Sequence, residues 1–145
     1  MKSIATTFCL ILLYLASVSA QSKADYIWLL GYNPNDSVAG FGGTRMDFHT
    51  TPPSLNFFQI PLDLESSAQI CSEEGKLQFY CNGCKIITRE HLLMDNGDNI
   101  NPGEIHEIDC NTGDDHGYGL VHQGMLALPW PGHPDKYYLF HLALY

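Results

Sequence analysis

The sequence predicts an all-β fold, an antiparallel meander, from three observations. Short runs rich in Tyr, Phe, Trp and Ile recur along the chain and are punctuated by Gly, Pro, Asn and Asp. Aromatic and β-branched residues suit a pleated, half-buried surface, and the punctuating residues suit turns. Several runs alternate in character: in Lys76–Asn82, Leu77, Phe79 and Cys81 share one face and Gln78, Tyr80 and Asn82 the other. No helical period is sustained anywhere beyond residue 20.

Taken in order, Asp25–Gly31 is an apolar and aromatic strand, and Gly40–Gly43 ("GFGG") is the turn that precedes a second, alternating strand, Gly43–His49. A Pro-Pro break precedes the third, Ser54–Pro61. Ser67–Ser72, Lys76–Asn82 and Cys84–Glu90 then form a three-stranded meander, with turns at Glu73–Lys76 and Asn82–Gly83. Glu90–Asp95 is either a fourth, outer strand or one helical turn, since it is too short for its period to decide. From Asp95 to Gly119 no period is present, and a loop of that length is functional or held down by something. Gln123–Trp130, the turn Pro131–Lys136 and Lys136–Tyr145 read as a last hairpin.

The first twenty residues stand apart. Lys2 forms a basic start, Phe8–Ala16 is an apolar run too short to span a bilayer, and Val18–Ala20 supplies small residues for signal cleavage. The expectation is an exported chain, secreted or at the cell surface, comprising a signal peptide at 1–20 and one domain at 21–145 with no membrane insertion. The chain of 145 residues carries a net charge of −9, and removal of Lys2 with the leader makes it −10. Six scattered basic residues against sixteen acidic ones exclude nucleic acid as a partner. The chain also ends inside an apolar strand at Tyr145, which predicts truncation at the C-terminus, because an unpaired apolar edge invites aggregation.

Of the five cysteines, Cys9 falls in the leader, which leaves Cys71, Cys81, Cys84 and Cys110. An even number in an exported chain predicts disulfides, with three connectivities open. Zinc would need a second ligand pair beside Cys81 and Cys84, and a thioredoxin-like site would need a helix beginning at Cys81. The Asn-Gly between the two cysteines instead favours a hairpin turn. One pairing joins Cys84 to Cys110, which would hold the long loop, and Cys71 to Cys81, which lie on consecutive strands.

No catalytic, cofactor-binding or metal-binding residues are expected. His106 lacks a second His at helical spacing, while His116, His122 and His133 sit in Gly- or Pro-rich stretches that favour turns. His141, between Phe140 and Leu142, reads as a residue of a strand core or face. Asp95–Asn101 fails the EF-hand spacing, because Gly97 and Ile100 fall where ligand and glycine belong. Asp95, Asp98 and Asn99, like the run Asn111–Gly117, are turn residues first and calcium ligands second. The adjacent pairs Glu73-Glu74 and Asp114-Asp115 would point to opposite faces of a strand, so neither makes an acid–base couple. No nucleophile elbow is present, and Gly40–Gly43 lacks the lysine of a phosphate loop.

One resemblance covers most of residues 21–145. Trp28 in an early strand is followed by the hairpin Gly75-Lys-Leu77-Gln-Phe79-Tyr80-Cys-Asn82-Gly83. Met94, Asn96 and Gly97 come next, and then Pro129, Pro131 and Gly132 before Tyr137, Tyr138, Leu139 and Phe140. In this order the chain resembles the N-terminal region of large secreted proteins of Bacteroidota, which are similar to WD40-like or kelch-like β-propellers and often end in a type IX sorting domain. The resemblance implies the first blades of a propeller, incomplete because a propeller typically needs four to eight. It implies a scaffold or recognition module without its own catalytic site, meeting a protein or glycan partner through loops such as Asp95–Gly119. The alternative is the N-terminal part of a propeller-type hydrolase acting on polysaccharide, and a third reading is a small free-standing domain stapled by disulfides.

Overall fold

The computed structural model describes residues 22–32, 42–110, 117 and 123–142. The leader, Gly40 and Phe41 of the first turn, the stretches 111–116 and 118–122, and the end at Tyr145 lie outside the described residues. The described chain forms three antiparallel sheets in sequence order. The first holds β1 (Ile27–Gly31), β2 (Gly43–Asp47) and β3 (Ser54–Phe58). The second is a four-stranded meander of β4 (Ala68–Cys71), β5 (Leu77–Cys81), β6 (Lys85–Thr88) and β7 (Leu93–Asp98). The third is the hairpin of β8 (Met125–Trp130) and β9 (His133–His141). No sheet among these closes on itself into a barrel.

Alternation decides which side of each sheet is buried. In β1, Ile27 and Leu29 are buried while Trp28 and Leu30 face out. The inner pair joins Ile60, Leu62 and Leu64 of the segment after β3, and Cys71, Tyr80 and Ile87 of the second sheet, in the first core. The opposite face of the second sheet presents Ala68, Ile70, Phe79 and Cys81 to Ala127, Met125, Tyr137 and Leu139 of the hairpin, forming the second core. The sheets thus lie face to face, with the four-stranded one in the middle and covered on both sides. A sheet with both faces covered tolerates apolar residues at consecutive positions, which explains the buried run Phe79–Cys81.

Main-chain bonds hold this order. The backbone amide of Leu64 donates to the Gly31 carbonyl at 3.1 Å, and that of Cys71 to Ala24 at 2.8 Å. Leu29 donates its amide to the Gln69 side-chain oxygen at 2.6 Å, so a β4 side chain satisfies a buried donor of β1.

The first six strands are shorter than the sequence predicts, and three expectations change. Of Glu90–Asp95, residues 90–92 form the turn after β6 and Leu93–Asp95 begin β7, which runs on into the predicted loop with Lys85 opposite Asp98. The same loop contains a six-residue helix, α1 (Glu104–Asp109), too short to register as a period. β9 starts at His133, directly after the Pro131–Gly132 turn, and a register shift at Pro129–Trp130 takes up the extra residues.

Candidate binding surface

Around the "CNGC" stretch the turn is built by Asn82. Its side-chain oxygen accepts the amides of Cys84 and Lys85, both at 3.1 Å, while Gly83 takes φ 88°. Asn82 is fully buried. A short Asx turn lets the chain reverse there with its donors satisfied. The reversal points Cys84 toward α1, where it forms a disulfide with Cys110, Cα–Cα 5.6 Å. Ile105 packs against the bridge, and Gly117 sits so close to the turn that a Cβ there would lie 2.6 Å from the Asn82 carbonyl.

The pairing of Cys71 with Cys81 is corrected. Both are free and buried. Cys81 stands opposite Ala68 and Cys71 opposite Leu77, with a bulge at Ile70–Cys71. The alternation of the pleat places Cys71 in the first core and Cys81 in the second, on opposite faces of the sheet. The same bulge moves Leu77 to the first core, away from Phe79 and Cys81, with which the alternation had grouped it. Burial pushes the Cys81 thiol up to about 11 and raises that of Cys71 as well, so neither is a ready thiolate.

Arg45, Asp47 and His49 form a cluster that the alternation of Gly43–His49 carries but that reading for catalytic spacings passes over. His49 Nδ1 lies 2.6 Å from Asp47 Oδ1, and Arg45 donates to Asp47 Oδ2 at 3.1 Å. Burial alone would raise the Asp47 pKa. The hydrogen bonds from the His49 amide and ring, with the positive charges of His49 and Arg45, outweigh it and hold the carboxyl below its usual range. The arrangement resembles an acid–base couple, yet His49 Nε2 faces the Glu74 carbonyl at 3.3 Å. With both ring nitrogens engaged, the pair serves as a clip between the first sheet and the β4–β5 turn.

Four further histidines lie among the described residues: His91, His106, His133 and His141. His91 adopts φ 62° and receives the Tyr80 hydroxyl at Nδ1, 2.9 Å away, with Phe58 against its ring. Burial lowers the His91 pKa, with the Arg45 charge adding to the effect, and burial raises that of the Tyr80 phenol. His106 is buried on α1, and its Nδ1 and the Asp109 Oδ2 have no hydrogen-bond partner among the described residues. His133 stacks edge-on against Trp130, and His141 is exposed at the end of β9 opposite Met125, a face residue rather than a core one. His116, His122, Asp114 and Asp115 lie outside the described residues.

Asp95 and Asp98 are exposed on β7, and Asp98 accepts the amide of Asn99. Among the described residues no group of three or more His, Cys, Asp or Glu side chains comes together as a metal site. No described helix is long and apolar enough to cross a membrane.

What the outer sheets do present are two apolar faces. On the first sheet, Trp28, Met46 and Leu55 form one cross-strand row and Leu30, Thr44 and Phe57 the next. Phe57 is 71% exposed and Leu55 60%. On the hairpin, Leu126 pairs with Phe140 and Leu128 with Tyr138, both on the side away from the second core. Trp130 stacks on Tyr138 at 4.9 Å with ring planes 19° apart, and the Lys136 ammonium lies 5.4 Å from the Trp130 ring centre. An open depression of about 230 Å³ borders each face, one lined by Asp25, Tyr26, Trp28 and Phe48 and one at the Gln123–Leu126 end of the hairpin. Both faces leave rows of large apolar side chains open to solvent among the described residues.

Comparison with known protein families, with curated proteins and with solved structures finds no match for this chain.

Proposed function

We propose that the protein is an exported, non-enzymatic scaffold or recognition module of β-propeller-like build. It holds a protein or glycan ligand at the loop region between Asp95 and Gly119. The observation that carries this reading is the stacking order, in which three antiparallel sheets follow one another face to face and a four-stranded meander in the middle is covered on both sides. A propeller repeats such a unit around a channel.

Two further features support the reading. The Cys84–Cys110 bridge fits an oxidising, extracellular setting. It also fastens α1 and the segment before it to the rigid middle sheet, and Asn101 adds a hydrogen bond to the Leu142 carbonyl at 2.9 Å. Loops fixed to a rigid scaffold are where binding residues concentrate.

The test is binding of the purified protein to arrays of glycans and of extracellular proteins. Retention of a ligand that weakens at least tenfold with Asp95→Ala, Glu104→Ala or Glu107→Ala supports the loop as the contact surface. Binding indifferent to all three removes the loop from the proposal. Turnover of a polysaccharide, abolished by replacing one carboxylate or histidine, would make the protein an enzyme instead.

A further inference from the structure

The depression beside the first sheet is lined by three aromatic side chains and one carboxylate: Tyr26, Trp28, Phe48 and Asp25. Trp28 faces away from its neighbours Ile27 and Leu29, which are buried. Phe48 directly follows β2, and its amide donates to the Tyr26 carbonyl at 2.9 Å, so the paired backbone brings the rings to one end of β1 and β2. Trp28 and Phe48 lie 5.2 Å apart with their planes 56° off parallel, which makes a corner rather than a flat platform. Trp28 is 43% exposed, and Asp25 is exposed as well.

We propose that this depression binds a small organic cation of the quaternary ammonium class, for which choline is the probe. An aromatic ring carries negative charge on its face and attracts a cation within about 6 Å of its centre. The chain already makes that contact here, since the Lys23 ammonium lies 5.1 Å from the centre of the Tyr26 ring. The Asp25 carboxylate and the net charge of −9 attract the same sign. A quaternary ammonium has no N–H to satisfy when it leaves water. Ring faces and one carboxylate therefore suffice to hold it.

Size and charge narrow the ligand further. The nitrogen and its four carbons, at about 30 Å³ each as for a water in the liquid, take roughly 150 Å³. The depression offers about 230 Å³ and is open, so the head fits and a tail can leave toward solvent. A phosphocholine head would bring its phosphate up to Asp25, whereas choline brings a positive charge alone. On the hairpin the comparable ring is already engaged: Trp130 stacks on Tyr138 at 4.9 Å and holds Lys136 at 5.4 Å. The site is separate from the loop between Asp95 and Gly119 and does not rest on the propeller-like reading.

The experiment is titration of the purified protein with choline chloride, followed by calorimetry and by shifts of protein resonances in NMR. Parallel titrations use phosphocholine and 3,3-dimethylbutan-1-ol, which has the shape of choline without its charge. The expected result is a choline dissociation constant of about 1 mM, with the neutral alcohol at least about tenfold weaker and phosphocholine weaker as well. Trp28→Leu keeps an apolar side chain and removes a ring, and Asp25→Asn removes the charge. Each should weaken choline at least about threefold, with circular dichroism unchanged; Phe48→Leu serves if Trp28→Leu does not fold. Lys23→Met should tighten binding, because it removes a like charge from the Tyr26 ring. No choline binding at about 50 mM, or equal binding of the neutral alcohol, overturns the site. So does tighter binding of phosphocholine, weaker binding in Lys23→Met, or a loss in Trp130→Leu that Trp28→Leu does not share. Choline binding that survives Asp95→Ala and Glu104→Ala, in a protein that holds no glycan or protein ligand, removes the loop reading and keeps this one.

Discussion

Asn82 shows how much of this fold rests on one polar side chain. Its oxygen satisfies the amides of Cys84 and Lys85 in a turn that is closed to solvent. A buried donor left without its acceptor costs about 1–3 kcal/mol. Asn82→Ala should therefore lower the free energy of unfolding by about that amount in urea titration. A loss below a few tenths of a kcal/mol would mean that the turn holds without its side-chain acceptor. The Asn-Gly pair makes this turn legible from sequence, since few other dipeptides supply both the Asx bond and a positive φ. Burial of Asn82 was not legible, because it depends on Gly117 and on Cys84 being drawn toward α1.

At the scale of elements, the Cys84–Cys110 bridge decides whether α1 exists. A helix of six residues has little stability of its own, because nucleation is costly and too few bonds follow it. Its buried side is one histidine and the bridge region with Ile105. The bridge closes a sequence separation of 26 residues, which in the chain-entropy treatment stabilises by about 3.5 kcal/mol. Cys110→Ser should cost about that much in global stability, and the Cys110 amide, bonded to His106 in the native chain, should lose its hydrogen-exchange protection. Retained protection there in Cys110→Ser would show that packing against the middle sheet is sufficient to hold α1.

At the scale of the whole molecule, the middle sheet makes two cores into one cooperative unit. Cys71 reports on the first core and Cys81 on the second. Of the four cysteines beyond residue 20, an alkylating reagent should label none in the native, unreduced protein and two in urea. All four should be labelled after reduction in urea. Under native conditions at high reagent, Cys71 and Cys81 should label at the same slow rate, because exposing either requires the shared sheet to come apart. Rates differing by more than tenfold would show that the stack opens one sheet at a time.

The sequence alone sets the class of the fold, the position of nearly every strand and most of the turns between them. Those depend on period-two alternation and on turn chemistry, both local properties of residues such as Leu77–Cys81 and Asn82-Gly83. It also left the Arg45–Asp47–His49 cluster visible as an alternation, though not its role as a clip, since that needs the Glu74 carbonyl brought in from another sheet. Tertiary structure alone decided the rest. The pleat of the middle sheet sent Cys71 and Cys81 to opposite faces, where their places on consecutive strands had suggested a pair. The stacking of sheets decided which apolar rows became core and which became exposed surface. Trp28 and Leu29 are both apolar neighbours on one strand, and only the presence of the second sheet on one side buries Leu29 and leaves Trp28 43% exposed.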